Sequence, residues 1–264
     1  MHLTAEKTLN LFLETYTKGI GDDFVIVEIG SNDVNYSPIK NMLPEKAKYL
    51  GIDLEEGNNV DIVLEDPYDY PVESESVDIV VCTSCFEHTE FFWLAYIEIL
   101  RILKPSGVVY INAPSNGYFH RFAYDYYRFY PDTGLALENW GKKNNINCKL
   151  LESFIGGSYG DIWNDFACVV LKDEEYLDLY DARMVEQNID FFNGISSKSP
   201  GLINPSLLSE DLIKLENMTY LKVTKQKYNL LKYKSKKAKY EIKIFLRDRF
   251  PSLVSLKKNI TDIF

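Results

Sequence analysis

The sequence predicts an α/β fold, a mostly parallel sheet of seven strands with helices on both faces, followed by a helical C-terminal appendage. Three observations carry this reading. Short apolar runs rich in Val and Ile recur along the first two-thirds of the 264 residues, helical patterns fall between them, and the alternation stops near Lys172. With 46% hydrophobic residues, a chain of this length can bury one large α/β domain plus an appendage. The expected divisions are 1–172 for the sheet domain, 173–220 for a mixed helix and loop extension, and 221–264 for a basic helical tail.

In chain order, Leu9, Leu11, Phe12, Leu13 and Tyr16 recur at helical spacing, and Gly19 and Gly21 end the pattern. Residues 24–29 read as a strand buried on both faces that runs into Gly30 and a polar turn. Further strands are expected at 49–54, 60–64, 77–82, 107–112, 148–155 and 166–171. The clearest intervening helix is 91–103, which ends in Lys104-Pro105-Ser106-Gly107. Beyond Lys172 comes a turn-rich stretch at 193–205, then a tail in which Tyr228, Leu231, Tyr240 and Ile244 stand among lysines and Pro251 interrupts the run.

Charge is distributed unevenly. Residues 221–264 carry 13 Lys and Arg against 3 Asp and Glu, so the tail is at +10 and the remainder at −20. A body this acidic repels phosphate backbones, so no nucleic-acid partner is expected. The tail suits peripheral contact with anionic lipid, docking on the acidic body, or self-association into an oligomer. No apolar run is long enough to span a membrane, and the start lacks a basic segment followed by an apolar one. A cytoplasmic protein is expected. Of the four cysteines, Cys82 and Cys85 form a CxxC without a second pair of ligands, so no metal site is expected.

In an open parallel sheet, ligands bind beyond the carboxyl ends of the strands, where strand order reverses. The first strand ends in Glu28-Ile29-Gly30-Ser31-Asn32-Asp33, where Gly30 lets backbone approach a ligand and the turn supplies amide donors. Asp53, followed by Leu54, ends the second strand, a position from which a carboxylate can accept bonds from both hydroxyls of a ribose. Asp66 and Pro67 follow the third, where Asp66 can accept from an adenine amino group. Thr83 and Ser84 close the fourth, and Glu87 and His88 come next. His88 can take a proton from an attacking hydroxyl, or it can simply pack there. After the fifth strand, residues 114–131 are too polar for a core strand and too aromatic for an ordinary loop. There His120 is an alternative base, Glu87 an acidic one, and Tyr124, Tyr127 and Tyr130 offer stacking faces. Arg121 and Arg128 can pair with phosphate or carboxylate groups.

These motifs, Val27-Glu28-Ile29-Gly30-Ser31, Tyr49-Leu50-Gly51-Ile52-Asp53, Cys85-Phe86-Glu87-His88 and Glu98 through Gly107, resemble those of class I methyltransferases of the type 11 group over about residues 20–172. The resemblance implies a Rossmann-like fold, S-adenosylmethionine as cofactor, Gly30 against its methionine part, Asp53 on the ribose and Asp66 on the adenine. It also implies an acceptor that is a small polar molecule, a sugar or sugar phosphate of bacterial surface-polysaccharide (capsule or O-antigen) assembly. A phosphoryl or amino group of a small phosphorylated metabolite is the alternative acceptor, and a cofactor-binding pseudo-enzyme or assembly partner the alternative outside the enzyme class. One departure stands out: where the family has glycines two and four residues after Gly30, this chain has Asn32 and Val34. Val does not tolerate a left-handed backbone, so the loop must follow a different path.

Overall fold

The computed structural model describes residues 2–32, 39–160, 162–212, 215, 232 and 234–242. The chain divides into two compact units, Met1–Leu207 and Leu208–Phe264. In the second unit, the described backbone is helical at 210–212 and 234–242. Among the described residues, no helix is long and apolar enough to cross a membrane.

The first unit is built on a sheet of nine strands: β1 (Val25–Ile29), β2 (Lys48–Asp53), β3 (Ile62–Val63), β4 (Val77–Thr83), β5 (Leu103–Pro114), β6 (Lys149–Gly156), β7 (Asp165–Leu171), β8 (Phe191–Ser196) and β9 (Ser199–Ile203). Their order is β3-β2-β1-β4-β5-β7-β6-β8-β9. The strands from β3 to β5 pair in parallel, whereas β7 lies antiparallel between β5 and β6. β8 and β9 continue the sheet in antiparallel fashion. The order therefore reverses between β1 and β4, which opens a crevice at their carboxyl ends.

Successive side chains point to opposite faces, and both faces are covered. On one side, Leu9, Phe12, Leu13 and Tyr16 of α1 (Leu3–Tyr16) pack with Ile26, Ile79, Val81, Val108 and Tyr110. On the other, Tyr96, Ile99 and Leu100 of α2 (Phe92–Ile102) and Leu137 of α3 (Asp132–Lys143) pack with Val27, Ile29, Val80, Cys82, Val109 and Ile111. Burial on both faces is why these strands read as unbroken apolar runs.

Several expectations need correction. The sheet has nine strands rather than seven, because the segment expected as mixed helix and loop supplies β8 and β9; the boundary at Lys172 does not end the sheet. β5 starts at Leu103, so Lys104-Pro105-Ser106, expected at the end of the preceding helix, is strand, and Lys104 Nζ lies 2.8 Å from both carboxylate oxygens of Asp78. No helix separates β2 from β3 or β3 from β4; the first link is short, and Pro67 and Pro71 oppose helix in the second.

Candidate active site

The carboxyl ends of β1, β2 and β4 open into a cleft of about 800 Å³. Gly30 turns the chain out of β1 at φ +78°, and a Cβ there would sit 3.0 Å from Cys85 Cβ. The amides of Gly30 and Ser31 both donate to Ile52 O, at 2.9 and 3.1 Å, which ties the β1 turn to β2. A Cβ at Gly51 would lie 1.8 Å from Asn59 O, so only glycine permits that approach beside the turn. At the end of β2, Asp53 accepts from Asn32 N at 2.9 Å and Leu54 N at 2.7 Å. Glu28 accepts from the Tyr49 hydroxyl at 2.6 Å.

Glu28, Gly30, Ser31, Asn32, Asp53, Leu54, Pro67, Thr83 and Ser84 line the cleft. Asp66 does not. Its carboxylate instead accepts from Tyr68 N at 2.8 Å, closing its own turn, while Leu64, Pro67 and Tyr68 reach the cleft. Asp33 and Val34 lie outside the described residues. Asn32 is absent from the residues with positive φ, whereas Ser84 (φ 52°) and Ala123 (φ 64°) hold left-handed conformations at the cleft wall. Such backbone is sparsely populated by side-chain-bearing residues and gathers at functional sites.

The far side of the cleft is built by the turn after β4 and the aromatic segment after β5. Tyr126 N and Tyr127 N donate to Glu87 O at 2.7 and 3.3 Å, and Phe129 N donates to Pro114 O at 3.1 Å, so the segment is fastened over the turn. His88 Nδ1 forms a short hydrogen bond with Tyr124 O. A carbonyl only accepts, so Nδ1 carries the proton and Nε2 the lone pair. That Nε2 lies 3.7 Å from Glu87 Oε1. Burial pushes the His88 imidazolium below its ordinary pKa and pushes the Glu87 carboxyl well above the usual carboxylate range. The His88 and His120 rings meet edge to face at 5.0 Å, and His120 also abuts Trp163 at 5.0 Å.

Of the expected acceptor-side residues, Glu87, His88, His120, Arg121 and Tyr124 line the cleft; Tyr127, Arg128 and Tyr130 do not. The Tyr127 hydroxyl donates to Glu90 O at 2.7 Å. Arg128 donates to Asp125 at 2.5 and 2.8 Å and to the carbonyls of Tyr127 and Tyr118 at 2.7 and 2.6 Å. It braces the loop instead of facing the cleft. Tyr130 is half exposed outside the cleft. Sequence reasoning missed Trp163 and His2, which stack at 5.7 Å along the cleft wall. Trp163 sits in the glycine-rich link between β6 and β7, a signal that could have marked a ligand-facing loop; His2 leaves none.

Residues 27–111 match the family model of a methyltransferase domain, the type 11 group. No curated protein matches the chain. Similar solved structures include a SAM-dependent methyltransferase from Aquifex aeolicus, at 15% identity and TM-score 0.41 over 65% of this chain and 99% of that one. Another is the 1,6-didemethyltoxoflavin-N1-methyltransferase of Burkholderia thailandensis, at 13% identity and TM-score 0.47 over 64% and 79%. A third is phosphoethanolamine N-methyltransferase 2 of Haemonchus contortus, at 14% identity and TM-score 0.44 over 63% and 53%. With the motifs that it spans, the family match identifies residues 27–111 as a class I, S-adenosylmethionine-dependent methyltransferase domain of the type 11 group.

Proposed function

We propose that this methyltransferase methylates a small polar acceptor, a hydroxyl of a sugar or sugar-phosphate intermediate of the kind assembled into bacterial surface polysaccharide. The observation that carries the reading is the division of one cleft into two halves. Gly30 and Asp53 stand at the ends of β1 and β2, while Glu87, His88 and His120 stand beyond β4 beneath an aromatic overhang.

The first half fits the cofactor. Gly30 keeps backbone free of a side chain where the wall must come close, and Thr83 Oγ1 is buried without a hydrogen-bond partner among the described residues. A carboxylate has about four acceptor positions, and Asp53 already accepts from Asn32 N, Leu54 N and, at 3.3 Å, Glu55 N, so it retains room for one ribose hydroxyl. When bound there, S-adenosylmethionine would supply an activated methyl group, carried on a cationic sulfur, for transfer to the acceptor oxygen. The chain's own contribution is alignment and proton handling. Tyr124, Tyr126 and Phe122 give exposed aromatic faces at the cleft for a sugar ring. The lone pair on His88 Nε2 gives that end a group able to receive a proton or a Lewis acid.

Asp53→Ala should weaken S-adenosylmethionine binding by about 1.5–3 kcal/mol, as expected for hydrogen bonds to a charged group. Isothermal calorimetry checks this, and unchanged affinity removes the ribose assignment. His88→Ala or His120→Ala should lower turnover on a hydroxyl acceptor by about 10²-fold or more with cofactor affinity kept. Near-full turnover in both would favour a second reading, an already ionised oxygen of a phosphorylated metabolite, for which Arg121 in the cleft is the matching cation.

A further inference from the structure

We infer that Glu87, His88 and His120 form a binding site for a divalent first-row cation, such as Zn²⁺ or Mn²⁺, at the acceptor end of the cleft.

The three residues each place one ligand atom within 4.8 Å of the others. Two independent features indicate that these atoms await a cation. The first is Glu87. Its side chain is 1% exposed, and neither carboxylate oxygen has a hydrogen-bond partner among the described residues. A buried carboxylate left this way is costly unless something positive meets it. What meets it is the lone-pair side of His88, with Oε1 3.7 Å from Nε2. Two electron-rich atoms facing each other need a proton or a metal ion between them.

The second feature is the outer support of both histidines. Ligating imidazoles hold their other ring nitrogen against a carbonyl or carboxylate, which fixes tautomer and ring direction. His88 Nδ1 is held by Tyr124 O. His120 Nδ1 is held by Tyr118 O at 3.3 Å, with Asp125 Oδ2 at 3.5 Å. His88 is thereby left with Nε2 as its ligating atom, and in the tautomer that donates from Nδ1 to Tyr118 O, His120 likewise offers Nε2. Arg128 stands 3.4 Å from His120 Nδ1, on the side away from that atom, and its charge is met by Asp125.

Bonds of about 2.0–2.2 Å to a common ion bring ligand atoms to roughly 3–4 Å from one another. Closing the observed spread asks for a shift of about 1 Å, and His120 lies on a partly exposed loop able to make it. Two imidazoles and one carboxylate suit Zn²⁺, Mn²⁺ or Co²⁺ over Mg²⁺ or Ca²⁺, and three protein ligands leave positions open. An acceptor hydroxyl taking an open position would bind as the alkoxide, its proton passing to water, because the cation lowers its pKa. The cation site deepens the proposed acceptor reading, but its existence requires neither methyl donor nor acceptor.

The test uses the full chain without an affinity tag, stripped with a chelator and titrated with Co²⁺ in the absence of donor and acceptor. One equivalent should bind and give visible d–d absorption, and Zn²⁺ should displace it. Glu87→Gln and His120→Asn should each weaken Co²⁺ binding by about tenfold or more. His120 is partly exposed on its loop, and thermal melts of both variants separate lost binding from lost fold. Asp53→Ala should bind Co²⁺ as the unmodified chain does, which separates this site from the cofactor assignment. Absence of stoichiometric binding, or binding equal in all variants, overturns the proposal.

Discussion

Arg128 directs its guanidinium into the protein, with two donors on the Asp125 carboxylate and others on the carbonyls of Tyr127 and Tyr118. Burial alone would raise the Asp125 carboxyl, but Arg128 and the His120 amide outweigh it and hold the pKa below its ordinary value. A depressed carboxyl stabilises above the unfolded-state pKa and loses that contribution as pH falls through the folded one, so the brace is intact at neutral pH and lost in acid. A lysine ammonium cannot span a carboxylate and two carbonyls at once. Arg128→Lys should therefore lower stability by about 1–3 kcal/mol, read by thermal melting, and leave the acceptor KM unchanged. Arg121 makes the opposite case. Its guanidinium lies 5.5 Å from the Tyr124 ring and lines the cleft, so Arg121→Lys should raise the acceptor KM and spare the melting temperature. A raised KM for Arg128→Lys without loss of stability would restore it as an acceptor residue.

At the scale of elements, what could be read from sequence follows burial. β1, β4, β5 and β7 are covered on both faces, and their Val and Ile runs announce them. Gly30 and Asp53 were legible because they follow directly on such strands. Asp66 stands outside the cleft lining, where its carboxylate accepts from the Tyr68 amide two residues on, a local bond that strand-end position does not reveal. Trp163 and His2 reach the cleft only through the antiparallel return of β7 and the start of α1, which no local pattern encodes. β8 and β9 escaped for a similar reason: Asn193 (φ 52°) and Gly201 (φ 80°) interrupt them, and β9 is mostly exposed. They are nevertheless held to the body. Arg183, 1% exposed, donates to Leu151 O of β6 and to Ser197 Oγ between β8 and β9, while Glu152 of β6 accepts from Tyr16 at 2.6 Å and Met184 N at 2.7 Å. Ending the chain at Lys172 would remove these partners and leave β6 as a bare edge. A 1–172 fragment should aggregate or melt without cooperativity, whereas 1–207 should melt as one transition; equal behaviour by gel filtration and calorimetry would mean the extra strands are dispensable.

At the scale of the whole chain, the separation of charge sets the behaviour of the last 44 residues, at +10 against −20 elsewhere. The described part of this tail, 234–242, is helical with exposed side chains, among them Tyr240 and Ile242. Each Lys or Arg near an anionic bilayer contributes on the order of 1 kcal/mol, and aromatic and aliphatic residues among them add apolar insertion. The acidic remainder opposes the same surface, and its repulsion is screened over about 8 Å at physiological ionic strength. The attraction of the tail and the repulsion of the remainder are both electrostatic and weaken with salt. The whole chain should therefore sediment with vesicles rich in phosphatidylserine at low salt and be released at high salt, while a chain ended after Tyr220 should stay in solution at both. If the two behave alike, the tail's charge serves the protein's own fold or assembly, and gel filtration of both chains would then show a tail-dependent change in size.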